Sequence, residues 1–201
     1  MTLLDIQSEM HIPGALKQID YWLFSKINGQ WHSPLLDGFI PFVRESYLWL
    51  PFYFFLILFV TMNFKKGWFW VLFFLMNVLV SDVVSSRLIK EFFFRLRPCQ
   101  DPSFADKIRF LVSYCPVSSS FTSSHAVNHF AAAMFIFTTF RKNLSPYWAF
   151  VFLWAALISY AQVYVGVHFP LDVTCGAIIG LILGYIVAKI FNKKIGLTAQ
   201  Y

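Results

Sequence analysis

Charge is what this chain has least of. Of its 201 residues only 13% are Asp, Glu, Lys or Arg, about half the usual share of a soluble domain. A water-soluble protein of this size needs a polar shell that such a composition does not supply. Cysteine is scarce too. Cys99, Cys115 and Cys175 are too few and too irregularly spaced for a zinc site or a disulfide-built scaffold. No Lys/Arg-rich run is present, so the net charge of +6 does not point to nucleic acid. No segment repeats. Residues 1–14 carry Asp5 and Glu9 and lack a basic start followed by an apolar run, so the chain is expected to insert through its own spanning helices rather than behind a cleaved leader.

Apolar residues are abundant instead. Hydrophobic residues make up 58% and aromatic residues 20%, with 25 Phe and 7 Trp. These values exclude intrinsic disorder and collagen. They point to an integral membrane protein, all-α, folded as one domain over residues 1–201. A spanning helix needs about 20 mostly apolar residues. Five segments qualify: 47–62, 68–90, 123–140, 147–167 and 172–189, the first starting earlier, near Phe39. The expected fold is a polytopic transmembrane helix bundle of five spans, with an amphipathic helix in residues 14–38. That helix either lies on the membrane surface or caps the bundle. A sixth span would change only the side of the N-terminus. Trp49, Trp68 and Trp148 suit interfacial belts. Residues 91–122, with Pro98, Pro102 and Pro116, read as a structured loop.

Five spans put Lys65, Lys66, Arg141, Lys142, Lys189, Lys193 and Lys194 on one face, with no acidic residue beside them. Loops rich in Lys and Arg stay cytoplasmic. The tail is therefore expected inside, and the N-terminus and the long loop outside. Cys99 and Cys115 bracket that loop, each next to a proline. Two readings stay open: a disulfide closing the loop, or unrelated small residues. Cys175 is expected to be free.

Three polar clusters converge on the outer end. In the first, Lys90 and Arg97 could both reach a multiply charged anion. In the second, Thr122, Ser123 and Ser124 precede a helical run and His125 falls in its first turn, where free amides can hold a phosphate. In the third, Gly166 and Pro170 flank His168, and Asp172 can accept a hydrogen bond from its ring. Together they read as a phosphoryl-transfer site that calls for no metal or other cofactor.

These segments resemble the type 2 phosphatidic acid phosphatase (PAP2) superfamily of membrane lipid phosphatases. Its first motif, a Lys, six residues and Arg-Pro, is matched by Lys90, Arg97 and Pro98. Its Pro-Ser-Gly-His motif is matched in part by Thr122-Ser123-Ser124-His125. Its third, Ser-Arg, five residues, His, three residues, Asp, keeps His168 and Asp172 but opens with Ala161-Gln162. The resemblance implies His168 as a nucleophile forming a phosphohistidine, Asp172 orienting it and His125 as general acid. It implies Lys90, Arg97, Ser123, the Ser124 amide and Gln162 around the phosphate. Losing the arginine at position 162 should cost about 2–4 kcal/mol of transition-state stabilisation. Arg87, Arg95 and His129 are the candidates to compensate. The expected activity is hydrolysis of a lipid phosphomonoester or diphosphate at the outer face of a bacterial cytoplasmic membrane. Undecaprenyl diphosphate is the preferred substrate, and phosphatidylglycerol phosphate, phosphatidate and lipid A phosphates are the others. Membrane lipids are the other expected partners, and oligomeric state is left open. The competing readings are a catalytically degenerate lipid-binding protein of the same fold, a metal hydrolase using His125, His129, His168 and Asp172, and a transporter. The basic groups oppose the metal reading, and the small number of spans opposes the transporter.

Overall fold

The computed structural model describes residues 9–141 and 146–199. Lys142, Gln200 and Tyr201 from the basic face and the tail, and Asp5 from the N-terminal segment, lie outside them. Among the described residues the fold is all-α. In chain order, α1 is Gly14–Phe24, running into a π-helical turn Ser25–Gln30. Then come α2, Pro34–Val43, and α3, Leu50–Asn63. Helix α4 runs from Gly67 through a π-helical turn to Phe92. The last three are α5, Ser124–Phe140, α6, Phe150–Tyr164, and α7, Pro170–Lys194.

Glycine spacing sets the central packing. On α7, Gly176, Gly180 and Gly184 recur every fourth residue and so share a face. A Cβ on each would come within 2.9, 2.3 and 2.3 Å of the carbonyls of Ser123, Val127 and Ala131 on α5. Only glycine lets the two backbones approach this closely, as small-residue stripes do between membrane helices. One consequence is that the start of α5 and the start of α7 lie together, with Ser123 N donating to Asp172 O at 3.2 Å. Further along, Trp70 stacks on Phe74 and Phe140 and donates its indole N–H to Thr139 Oγ1 at 2.8 Å.

Three helices among the described residues are long and apolar enough to cross a membrane: Gly67–Phe92, Tyr147–Tyr164 and Pro170–Lys194. A fourth crossing arises if Pro34–Val43 and Tyr47–Asn63, bent by 75°, count as one. The protein is thus an all-α polytopic membrane bundle, and the five spans expected from sequence are not all separate long helices. The apolar run starting near Phe39 breaks at Glu45, whose extended backbone ends α2. Helix α5 has only 17 residues and is the most enclosed of the set. The aromatic belt is also only partly present. Trp68 is exposed, whereas Trp49 and Trp148 pack against the core.

The N-terminal segment caps the bundle. Asp20, Phe24, Ile27 and Asn28 are buried, and Phe24 packs edge-on to Phe104 and Phe169. Asn28 donates to Tyr164 O at 2.8 Å and to Arg109 O at 2.7 Å. Asp37 accepts from Arg109 at 2.5 Å and from the Tyr164 hydroxyl at 2.6 Å. The outer loop then closes over this cap, with a Cys99–Cys115 disulfide linking residues 16 apart. Basic side chains gather at the other end of the bundle, where Arg141, Lys189 and Lys193 line one pocket.

Two outcomes are expected. Thiol counting in denaturant should find one reactive cysteine, Cys175, before reduction and three after it; three before reduction would contradict the bridge. Asp20→Ala removes one carboxylate from the buried Arg95 side chain and should cost about 3 kcal/mol, read as a lower unfolding temperature in detergent.

Candidate active site

The site is assembled where α4, α5, α6 and α7 end or begin on one side of the bundle. Its base is a buried ion chain. Arg95, 2% exposed, donates to Asp172 Oδ1 at 2.6 Å and to Asp20 Oδ2 at 2.5 Å. Its guanidinium lies 4.1 Å from the centre of the Phe169 ring. Burial opposes its charge, but the two carboxylates outweigh burial and hold Arg95 above its ordinary pKa. Asp172 is fully buried and also accepts from Phe169 N at 2.9 Å.

Asp172 reaches His168 through an intermediary. The direct Nδ1–Oδ2 separation is 3.7 Å, too long for a hydrogen bond. Ser120 lies between them, donating to Asp172 Oδ2 at 2.5 Å, with its Oγ 3.3 Å from His168 Nδ1. On the other side of the ring, Arg97 Nη1 is 3.1 Å from Nε2. Arginine can only donate, so Nε2 carries the lone pair and Nδ1 the proton. His168 is pushed down to about 4, first by burial, with Arg97 and Lys90 adding to the effect and Asp172 opposing it. The ring is therefore neutral at pH 7, with a nucleophilic nitrogen facing a guanidinium.

Arg97 is 3% exposed and anchored by main-chain acceptors: Ser118 O at 2.9 Å, Val167 O at 3.0 Å and Ser119 O at 3.3 Å. Burial lowers it to about 10, with Arg44 assisting and Asp172 opposing, which leaves it charged at neutral pH. Lys90 is half-buried and makes no hydrogen bond or ion pair among the described residues, yet its charge reaches His168. Ser123 caps α5, accepting from Ala126 N, and the Ser124 hydroxyl accepts from Ser85 at 2.9 Å. His125 is half-buried in the first turn of α5 and opens on a cleft of about 630 Å3, also lined by Arg44, Glu45, Ser113 and Tyr114.

The other predicted residues are placed differently. Gln162 is buried and its side-chain nitrogen has no partner among the described residues, while its main-chain oxygen accepts from Val167 N and His168 N, both at 3.2 Å. Arg87 is exposed on the π-helical turn of α4. Arg95 is buried behind Asp172, with its charge paired to two carboxylates. His129 is buried, bonded through Nδ1 to His125 O at 2.8 Å and packed edge-on to Trp154. Among the described residues, no three His, Cys, Asp or Glu side chains are grouped to hold a metal.

Three residues of the site escaped the sequence reading: Asp20, Ser120 and Arg44. Asp20 offered a weak signal, since in the mixed, amphipathic stretch around Lys17 and Lys26 an acid reads as part of the polar face. Ser120 belonged to a serine run read only as loop.

Comparison with known proteins places the chain in a family. A model of the PAP2 superfamily matches residues 70–195. The lipid A 4'-phosphatase of Porphyromonas gingivalis is 34% identical over 87% of this chain and 73% of its own length. That of Bacteroides thetaiotaomicron is 31% identical over 92% and 81%. The undecaprenyl-diphosphatase of Sulfolobus acidocaldarius is 28% identical over 87% and 75%. In three dimensions the chain resembles Aquifex aeolicus LpxE, with a TM-score of 0.65 and 31% identity over 85% of this chain and 95% of the other. The family match and these identities place the chain plainly: it is a member of the PAP2 superfamily, an integral-membrane lipid phosphatase.

Proposed function

We propose that the chain releases phosphate from a phosphomonoester of the lipid A class, through a phosphohistidine on His168. The observation that carries this reading is the pairing of His168 Nε2 with Arg97 at 3.1 Å, with Ser120 and Asp172 behind the ring. In the first step Arg97 turns its Nη1 from Nε2 to a phosphoryl oxygen, and the freed Nε2 lone pair attacks phosphorus. The bond from phosphorus to the lipid oxygen breaks, and that oxygen takes a proton from His125. In the second step water gives a proton back to His125 and attacks phosphorus, the P–N bond breaks, and inorganic phosphate leaves. Arg97 and Lys90 hold the phosphoryl oxygens.

Two relatives support the lipid A class. So does the cleft beside His125, because the general acid adjoins the leaving group and the lining there includes Arg44, Glu45, Ser113 and Tyr114. A sugar suits such a lining better than an acyl chain does. Undecaprenyl diphosphate is the second reading, and the archaeal relative supports it. Purified protein should release phosphate from lipid A with a higher kcat/KM than from undecaprenyl diphosphate. The reverse order would favour the second reading. No release from either, or from phosphatidylglycerol phosphate, would leave a lipid-binding relative.

For topology, α5 is proposed as a fifth crossing. Its 17 residues span about 25 Å and are shielded by neighbouring helices. The site then faces outward, and the end bearing Arg141, Lys189 and Lys193 faces the cytoplasm. A Thr198→Cys label site in a Cys175→Ser background should resist an impermeant thiol reagent in intact cells; ready labelling would refute this orientation.

His168→Ala should abolish phosphate release, and His125→Ala should slow expulsion of the lipid alcohol by about 100- to 10,000-fold. His168 titrates near 4 in the folded chain. Its lone pair is therefore available above that value and lost as pH falls through it. The acid limb of kcat/KM that reports this group should fall near pH 4 rather than near 6.5, the ordinary histidine value.

A further inference from the structure

A dianionic phosphoryl group meets one cation fewer in this sequence than in the motif it resembles, because Gln162 stands at the arginine position. The replacements suggested by sequence do not fill that place. Arg87 is exposed, and the charge of Arg95 is paired with Asp20 and Asp172. Another arginine does reach the site. Arg44 ends α2, at the elbow where Glu45 turns the chain into extended backbone. Trp49 Nε1 clamps that elbow by donating to Val43 O at 2.8 Å. Asp37 ties the same helix to Tyr164 at the foot of α6.

The Arg44 side chain is only 11% exposed, and its one ion pair among the described residues is to adjacent Glu45 at 3.9 Å. Its Nε is buried with no hydrogen-bond partner among the described residues. A buried guanidinium nitrogen without an acceptor is costly and calls for an explanation, and a ligand that supplies the acceptor is one. Arg44 lines the cleft that His125 opens on. Its positive charge is felt at Arg97, the residue paired with the nucleophile.

We propose that Arg44 is a phosphate-binding residue of this site, supplying from the α2–α3 elbow the guanidinium that position 162 lacks. The proposal builds on the phosphatase reading but concerns the anion site itself, so it can be tested without a lipid. Orthovanadate, which has the shape and charge of phosphate and no headgroup, is the probe. Calorimetry on the purified, detergent-solubilised full chain should find Arg44→Gln at least about tenfold weaker in vanadate affinity than the parent, the size expected for a charge-assisted hydrogen bond. Arg44→Lys, which keeps the charge but not the fork, should be about threefold to tenfold weaker and covers the case in which Arg44→Gln does not fold. Gln162→Arg placed in the Arg44→Gln chain should restore most of the affinity, because the two positions would serve one anion. Arg141→Gln, at the opposite end of the bundle, should change nothing.

Unchanged vanadate binding in Arg44→Gln or in Arg44→Lys overturns the proposal. So does a loss in Arg44→Gln that Gln162→Arg leaves in place. If vanadate binding depends on Arg44 but no lipid phosphate is hydrolysed, the proposal stands and the phosphatase reading of this chain fails.

Discussion

The buried Arg95 guanidinium, shared between Asp172 and Asp20, is the interaction on which the rest of the site depends. Neither carboxylate could remain ionised in a dry helix bundle without it. Asp172 must be ionised to hold Ser120, and Ser120 in turn faces the protonated nitrogen of His168. The tautomer of His168 is therefore fixed by a chain that begins on the N-terminal helix. Asp20 also accepts from Leu171 N at 2.7 Å. The same carboxylate thus fixes the start of α7 and the guanidinium that holds Asp172.

Backbone approach does the remaining positioning. The glycine stripe on α7 lets α5 come close enough for Ser123 N to bond Asp172 O. That contact brings the helix carrying His125 beside the one that opens just after His168. Gly166, at a φ of +87°, makes the turn that joins α6 to α7, and a Cβ there would meet Arg109 O at 3.1 Å. Both constraints act on main chain rather than on the reacting groups. The helices can therefore stay packed while the side chains above them meet a charged substrate.

Much of this was legible because the signals were local. Lys90 to Arg97, Ser123 to His125 and His168 to Asp172 each fall within a few turns, so spacing alone put each set at one helix end. The Lys/Arg asymmetry located the opposite end for the same reason. What escaped came from residues far apart in sequence. Asp20 and Arg95 are separated by 75 positions and Ser120 and His168 by 48, and no local pattern relates them. The elbow at Glu45 was hidden inside an apolar run, because hydropathy averages over one extended residue. Trp49 looked like a belt residue for a similar reason: its composition suits an interface, but its indole N–H is committed to Val43 O.

Charge arithmetic explains why the site suits an anion. Arg95 with Asp20 and Asp172 sums to −1, and Arg97 and Lys90 raise the total to +1. Arg44 carries its own charge to the rim, opposed there only by Glu45 at 3.9 Å. Like charges in a low dielectric repel strongly, and Arg97 is held in place by main-chain acceptors rather than neutralised by a carboxylate. Arg97 makes its bonds to Ser118, Ser119 and Val167 carbonyls, which fix its position without cancelling its charge. On the proposed function, an arriving phosphate meets in Arg97 a cation that is already oriented and has no carboxylate partner. The binding energy goes into lowering a repulsion that the fold has built in, and it is largest where negative charge is most concentrated, on the phosphoryl oxygens in the transition state.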